Sequence, residues 1–155
     1  MLSLPGYRNL VLLYDGPNSR VYRAEETGSA QSVILKVLKA DYPTTEQLKR
    51  YQQEYRLCKD LHCTGVIKAH RLQTWRKTLV IAFEDFGGID LRQWRAKQSA
   101  KISIASGLAI GLKIAQALAE LHSHNVIHKD INPANVVLHP PSMRLKIIDL
   151  GLSTQ

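Results

Sequence analysis

Val126-Ile127-His128-Lys129-Asp130-Ile131-Asn132-Pro133-Ala134-Asn135-Val136-Val137-Leu138 is followed by His139-Pro140-Pro141-Ser142-Met143 and then by Arg144-Leu145-Lys146-Ile147-Ile148-Asp149-Leu150-Gly151. Val136 to Leu138 is a short apolar run of high β propensity, and Leu145 to Ile148 is a second. The residues between them are turn formers, because proline fixes φ and cannot donate to a ladder. The pattern predicts a hairpin. Its open end brings Asn135, before the first strand, close to Asp149, after the second. An amide oxygen beside a carboxylate is a sensible hard-oxygen site for Mg²⁺. Asp130 lies just upstream, on a loop bounded by His128 and Pro133, so three oxygen-bearing side chains converge at one end of a small sheet.

His128 to Asn135, as H-K-D-I-N-P-A-N, resembles the catalytic loop of protein kinases, H-R-D-x-x-x-x-N, and Asp149-Leu150-Gly151 resembles their D-F-G motif. The resemblance implies an α+β, protein-kinase-like fold: a β-rich amino-terminal lobe over about residues 7–86, then the start of a helical carboxyl lobe over about 89–155. It implies ATP as substrate, Mg²⁺ as cofactor, and transfer of the γ-phosphoryl group to a Ser or Thr hydroxyl of a protein substrate. Asp130 takes the place of the residue that receives the acceptor hydroxyl proton, and Asn135 and Asp149 take the places of the metal ligands.

The rest of the chain fits the same frame. Leu10 to Leu13 and Val21 to Arg23 flank Asp15-Gly16-Pro17-Asn18-Ser19, which predicts a hairpin with a small-residue tip. By position it resembles the kinase glycine-rich loop, with Gly16 at the second glycine place and Val21 at the valine place. Tyr14 and Ser19 stand where the first and third glycines belong. Ser32 to Leu38 reads as a strand carrying one charge, and Val33-Ile34-Leu35-Lys36 resembles the V-A-I-K lysine motif. Residues 44–61 read as a helix capped by Thr44 or Thr45, with Leu48, Tyr51, Tyr55 and Cys58 at helical spacing. Glu54 on it takes the place of the carboxylate that orients the lysine. Residues 66–72 and 78–83 read as paired strands. Phe83 stands at the gatekeeper place, and the backbone of Glu84 to Phe86 at the adenine-facing hinge. The implied nucleotide contacts are Leu13, Gly16, Ser19, Val21, Ile34, Lys36, Glu84 and Phe86. Gly87-Gly88 is the expected lobe boundary, and Asp90 the expected cap of a short helix.

A long helix is predicted over about 103–123. Gly107 and Gly111 have G-x-x-x-G spacing, but Lys113, Ser103, Ser106 and Gln116 favour a buried core helix over a membrane span. His122, His124, His128 and His139 do not have zinc-ligand spacing, and His128 is expected to orient the catalytic loop.

The chain has 155 residues, 45% hydrophobic and 22% charged, with a formal charge of +8. These values are ordinary for a globular protein. The basic residues are scattered without an aromatic-interleaved stripe, so a solvated basic surface is expected and a nucleic-acid partner is not. Cys58 and Cys63 are too few and too close for a disulfide framework, which fits a reducing, cytoplasmic setting. The amino terminus has no secretory pattern.

Three departures from the family pattern stand out: Lys129 for the usual Arg, Asn132 for the Lys of many serine/threonine kinases, and Leu150 for Phe. The H-K-D-I-N-P-x-N form looks like the amino-terminal kinase domains of large bacterial signalling proteins, which implies further domains as partners. After Asp149-Leu150-Gly151 only four residues remain, with no A-P-E motif, so the chain by itself is expected to be inactive. A nucleotide-binding pseudokinase module and a small-molecule phosphotransferase are the alternatives.

Overall fold

The computed structural model describes residues 3–154. They form two compact units. The first is the chain up to Lys59 together with Lys68–Asp85, and the second is Asp60–Ile67 together with the chain from Phe86 onward.

The first unit is an antiparallel five-stranded sheet with one helix. Its strands are β1 (Tyr7–Asp15), β2 (Ser19–Glu26), β3 (Ser32–Leu38), β4 (Ala69–Trp75) and β5 (Thr78–Glu84), in the spatial order β1-β2-β3-β5-β4. Strand side chains alternate between faces, and directly paired residues share one. Tyr22, Ala24, Val33, Leu35, Val37, Val80 and Ala82 accordingly fall on one face and join Leu4 and Tyr7 in a buried cluster. The opposite parity carries Val21 opposite Lys36, Lys36 opposite Ile81, and Ile34 between Arg23 and Phe83. The pairing register thus fixes which residues can serve a site.

Helix α1 (Thr45–Asp60) starts in a capping box. Thr44 Oγ1 accepts from Gln47 N at 3.2 Å, and Gln47 Oε1 accepts from Thr44 N at 2.9 Å. The helix buries Tyr51, Glu54, Leu57 and Cys58. Only Glu54 among these carries a charge.

The predicted strand over 66–72 needs correction, since β4 begins at Ala69. Val66 instead forms a parallel bridge with Ile147 of the second unit, and the Ile147 amide donates to Gly65 O at 2.8 Å. Residues 60–67 therefore belong to that unit.

The second unit has a three-stranded antiparallel sheet of β6 (Ile89–Asp90), β7 (Val136–His139) and β8 (Arg144–Ile147), in that order. The predicted hairpin is present, with Val136 opposite Ile147 and His139 opposite Arg144. The short β6 had no sequence signal of its own. Asp90 ends it and caps α2 (Leu91–Ala96), its side chain accepting from Gln93 N at 3.0 Å. Helix α3 (Ile104–Ser123) is capped by Ser103, which accepts from Ser106 N at 3.1 Å. Ile110 of α3 packs in a cluster with Val136, Leu138 and Leu145, flanked by Leu91, Trp94, Ile114 and Met143.

Gly65 lies so close to Ala117 of α3 that a Cβ would overlap the alanine methyl. Glu120 of α3 accepts from Gly65 N at 3.0 Å and from Thr64 Oγ1 at 2.8 Å, which holds its carboxyl below its usual range.

The long helix predicted over 103–123 is present and covers only part of its apolar surface. Only Ile110, Ala117 and Leu121 of α3 are buried, whereas Ile104, Leu108 and Leu112 are 83, 69 and 61% exposed. The helix packs on one side only. By length and composition alone it is apolar enough to cross a membrane, as many core helices are.

Candidate active site

The second unit holds a loop built around Asp130. His128 is buried to 1% exposure. Its Nδ1 accepts from Asp130 N at 3.2 Å, so Nε2 carries the ring proton and donates to Ile148 O at 3.0 Å. One imidazole thus ties the loop to the backbone just before Asp149. Two side-chain amides then hold the Asp130 carboxylate. Asn135 Nδ2 donates to Oδ2 at 2.9 Å and to Asp130 O at 2.9 Å, while Asn132 Nδ2 donates to Oδ1 at 3.2 Å. Asn132 is itself held, its Oδ1 accepting from Ala134 N at 2.9 Å. Each carboxylate oxygen therefore has a fixed donor before any substrate arrives.

With Nδ2 of Asn135 given to Asp130, its Oδ1 is the atom left to act as an acceptor. The Asn135 carbonyl accepts from Ile148 N at 2.9 Å, which puts Asn135 and Asp149 at the same hairpin end. Two residues here adopt left-handed backbone, Lys129 at φ 68° and Asp149 at φ 65°. Non-glycine residues rarely do so, and such strain clusters at functional sites. Beyond Asp149, Leu150 is fully buried, and Ile127 and Thr154 exchange backbone hydrogen bonds of 2.9 and 3.1 Å. The segment after Asp149 thus returns along the residue before His128. Among the described residues no group of three His, Cys, Asp or Glu side chains is arranged to hold a metal. A hard cation on Asn135 and Asp149 would take its other ligands from substrate oxygens and water.

The first unit holds a different kind of constellation. Lys36 Nζ lies 2.8 Å from both Glu54 carboxylate oxygens, with the two side chains 13 and 2% exposed. Val21 and Ile34 share its sheet face by register. Leu13 does not fall cleanly on either face. It lies in the irregularity between Leu12 opposite Tyr22 and Tyr14 opposite Val21, and it is exposed.

The β1–β2 turn is tightly tied. Gly16 N donates to Ser19 O at 2.9 Å, and Lys39 Nζ donates to Asp15 Oδ1 at 2.8 Å and Gly16 O at 3.2 Å. The Lys39 hydrogen bond, helped by Arg20, holds the Asp15 carboxyl below its usual range. The Tyr14 ring occupies the space a Cβ on Gly16 would need, so a larger residue there would have to push that exposed ring aside. Ser19 begins β2, opposite Leu38.

Of the hinge residues in this unit, Glu84 donates its amide to Lys68 O at 3.0 Å, so that amide is committed within the sheet. Asp85, which the sequence pattern did not single out, accepts from Arg23 Nε at 2.6 Å and Ser32 Oγ at 2.7 Å. Phe86 opens the second unit, where Lys146 Nζ stands 5.8 Å from its ring centroid. Asn132 is the other residue whose part was missed. Its signal was an asparagine two residues after the aspartate, a spacing at which a side-chain amide reaches back over its own loop.

Among known proteins, the chain is similar to serine/threonine-protein kinase PknI of Mycobacterium tuberculosis, at 28% identity over 99% of this chain and 27% of that protein. It is similar also to serine/threonine-protein kinase pkn3 of Myxococcus xanthus, at 27% identity over 95% of this chain and 28% of the relative. Serine/threonine-protein kinase PrkC of Bacillus subtilis matches at 24% identity over 96% of this chain and 23% of its own length. The chain thus spans about a quarter of the length of these curated relatives. The crystal structure of the M. tuberculosis PknI kinase domain superposes with a TM-score of 0.78 at 29% identity, covering 99% of this chain and 63% of that one. The model of the protein kinase domain matches residues 7–155, and with this match, the shared fold and the Asp130 loop together, the chain belongs to the protein kinase family.

Proposed function

We propose that the chain is part of an ATP- and Mg²⁺-dependent protein kinase domain that transfers the γ-phosphoryl group of ATP to a Ser or Thr hydroxyl of a protein substrate. The observation that carries this reading is the Asp130 carboxylate, held on both oxygens by Asn132 and Asn135 and linked through His128 to the backbone beside Asp149. A carboxylate fixed in this way can orient an acceptor hydroxyl and take its proton as the bond to phosphorus forms. Asn135 Oδ1 and the Asp149 carboxylate are the hard oxygen donors that Mg²⁺ prefers. The cation would supply charge neutralisation on the phosphates. Lys36, aimed by Glu54, adds an ammonium for the α and β phosphates, a preorganised electrostatic contribution. Val21, Ile34 and Leu13 supply apolar contact for the base, Gly16 and Ser19 the turn over the phosphates, and Glu84 and Phe86 the hinge backbone.

One observation favours a second reading, a nucleotide-binding module without turnover. The Gly16 amide is spent on Ser19 O, Pro17 has no N–H, and the Tyr14 ring covers the turn. Such a turn offers phosphates few amides.

The test is calorimetric titration of ATP into the chain with and without Mg²⁺. Binding is expected to require Mg²⁺ and to weaken at least about tenfold in Asp149→Asn, the size of losing one charge-assisted contact. Equal affinity with and without the cation would overturn the metal assignment. The exposed face of α3 supports a further part of the proposal: the chain by itself binds nucleotide without transferring phosphate. Transfer of radiolabelled phosphate is expected once that face is covered in a longer protein, and it is expected to vanish in Asp130→Ala.

A further inference from the structure

We infer that Tyr51 is a positioning residue for Lys36, forming with Glu54 a two-membered holder for the ammonium group. Tyr51 and Glu54 are three residues apart on α1, so they present to the same side of the helix. Both are buried, at 7 and 2% exposure. The Tyr51 ring lies under Lys36 Nζ, 5.5 Å from nitrogen to ring centroid, while the Glu54 oxygens stand at 2.8 Å. The ammonium therefore meets a carboxylate edge and an aromatic face supplied by one helix.

The physical need for the ring follows from the burial. A lysine on this sheet face has Val21 and Ile81 as its paired neighbours, and Ile81 is fully buried. Drawing an ammonium and a carboxylate out of water carries a desolvation cost that the ion pair by itself does not reliably offset. An aromatic face attracts a cation within about 6 Å, more strongly where water is excluded. The ring also limits rotation of the lysine stem, which has four rotatable bonds and would otherwise sample other directions. Tyr51 thus covers the ammonium on one side and aims it. The consequence for nucleotide binding rests on the proposed kinase function, whereas the geometry of the holder does not.

The experiment is NMR of the chain with ¹³C-labelled lysine, the Lys36 methylene signals being assigned by Lys36→Arg. In the unsubstituted protein and in Tyr51→Phe, the Lys36 ε-methylene is expected upfield, shifted by the ring current. In Tyr51→Leu it is expected to return to the position of an exposed lysine, with the other lysine signals unmoved. A nuclear Overhauser contact between the Lys36 ε-protons and the Tyr51 ring protons in the unsubstituted protein tests the same geometry if the Leu variant does not fold. MgATP affinity measured alongside is expected to hold in Tyr51→Phe and to fall about tenfold in Tyr51→Leu. A Lys36 signal indifferent to Tyr51→Leu, or absence of the Overhauser contact, overturns the inference. Loss of MgATP binding in Tyr51→Leu but equally in Tyr51→Phe, with the upfield shift intact, also overturns it, since the ring would then act through its hydroxyl. If the Lys36 shift follows the ring while neither Lys36→Met nor Tyr51→Leu changes ATP affinity, the holder stands and the proposed nucleotide role of Lys36 falls.

Discussion

The Lys36–Glu54 pair and the Asp130 loop solve the same problem, holding a charged group still, by opposite means. Lys36 is fixed by a full opposite charge that comes from another element 18 positions away, and both groups are withdrawn from water. Asp130 is fixed by neutral amides and an imidazole from within five residues of it, and it remains exposed. The first arrangement depends on α1 staying docked. The second depends on a local backbone shape, including left-handed Lys129, together with one tertiary link from His128 to Ile148. A distant charge pair can be made or broken by moving a helix. A loop tied mostly to itself depends on elements elsewhere only through that one link.

The largest effect that would break this comparison is expected at the ion pair. Lys36→Met removes the ammonium from a carboxylate at 2% exposure, and losing one partner of a buried pair costs about 3–5 kcal/mol. Urea unfolding should show that loss, and Lys36→Met/Glu54→Leu should recover most of it. A double variant as unstable as the single one would mean that the pair is not what fixes α1.

His128→Phe keeps the ring volume and removes both hydrogen bonds of the imidazole. The Asp130 amide and the Ile148 carbonyl lose their partners, and the expected cost is about 2 kcal/mol. Amide hydrogen exchange should quicken at Asp130, while exchange in β3 and α1 should not change. Faster exchange in the first unit as well would show that the two constellations are not independent.

The smallest effect sharpens the contrast by adding a third case, a surface carboxylate held by backbone. Glu120 has its carboxyl held below its ordinary value, first by the Gly65 amide and then by Thr64. A group whose folded value is depressed contributes stability above its unfolded value. That contribution disappears as the pH falls through the ordinary carboxylate range toward the lowered folded value. Glu120→Gln should lose about 1 kcal/mol at neutral pH and little at acid pH, so thermal unfolding of the variant and the parent should converge as the pH falls. Parallel curves across that range would remove Glu120 from the account.

Much of this protein is determined by sequence because its signals are local. Gly16-Pro17-Asn18 dictates a turn, the apolar run of high β propensity in Ser32 to Leu38 dictates β3, and Thr44 with Gln47 and Asp90 with Gln93 dictate helix starts. The order His128, Asp130, Asn135, Asp149 determines which side chains can meet, because a short hairpin must bring its two ends together. What only the tertiary structure decided depends on residues far apart or on register. Val66 and Ile67 read as the start of a strand that runs to residue 72, yet Ile67 N donates to Ile147 O and Ile147 N donates to Gly65 O, because the backbone beside β8 is where these groups find partners. Residues 103–123 look like a core helix, yet only Ile110, Ala117 and Leu121 are buried, because periodicity records an apolar face and not whether anything covers it. Tyr51 reads as one more apolar position on α1. Its meeting with Lys36 exists only once the sheet register and the helix docking have put a strand lysine over its ring.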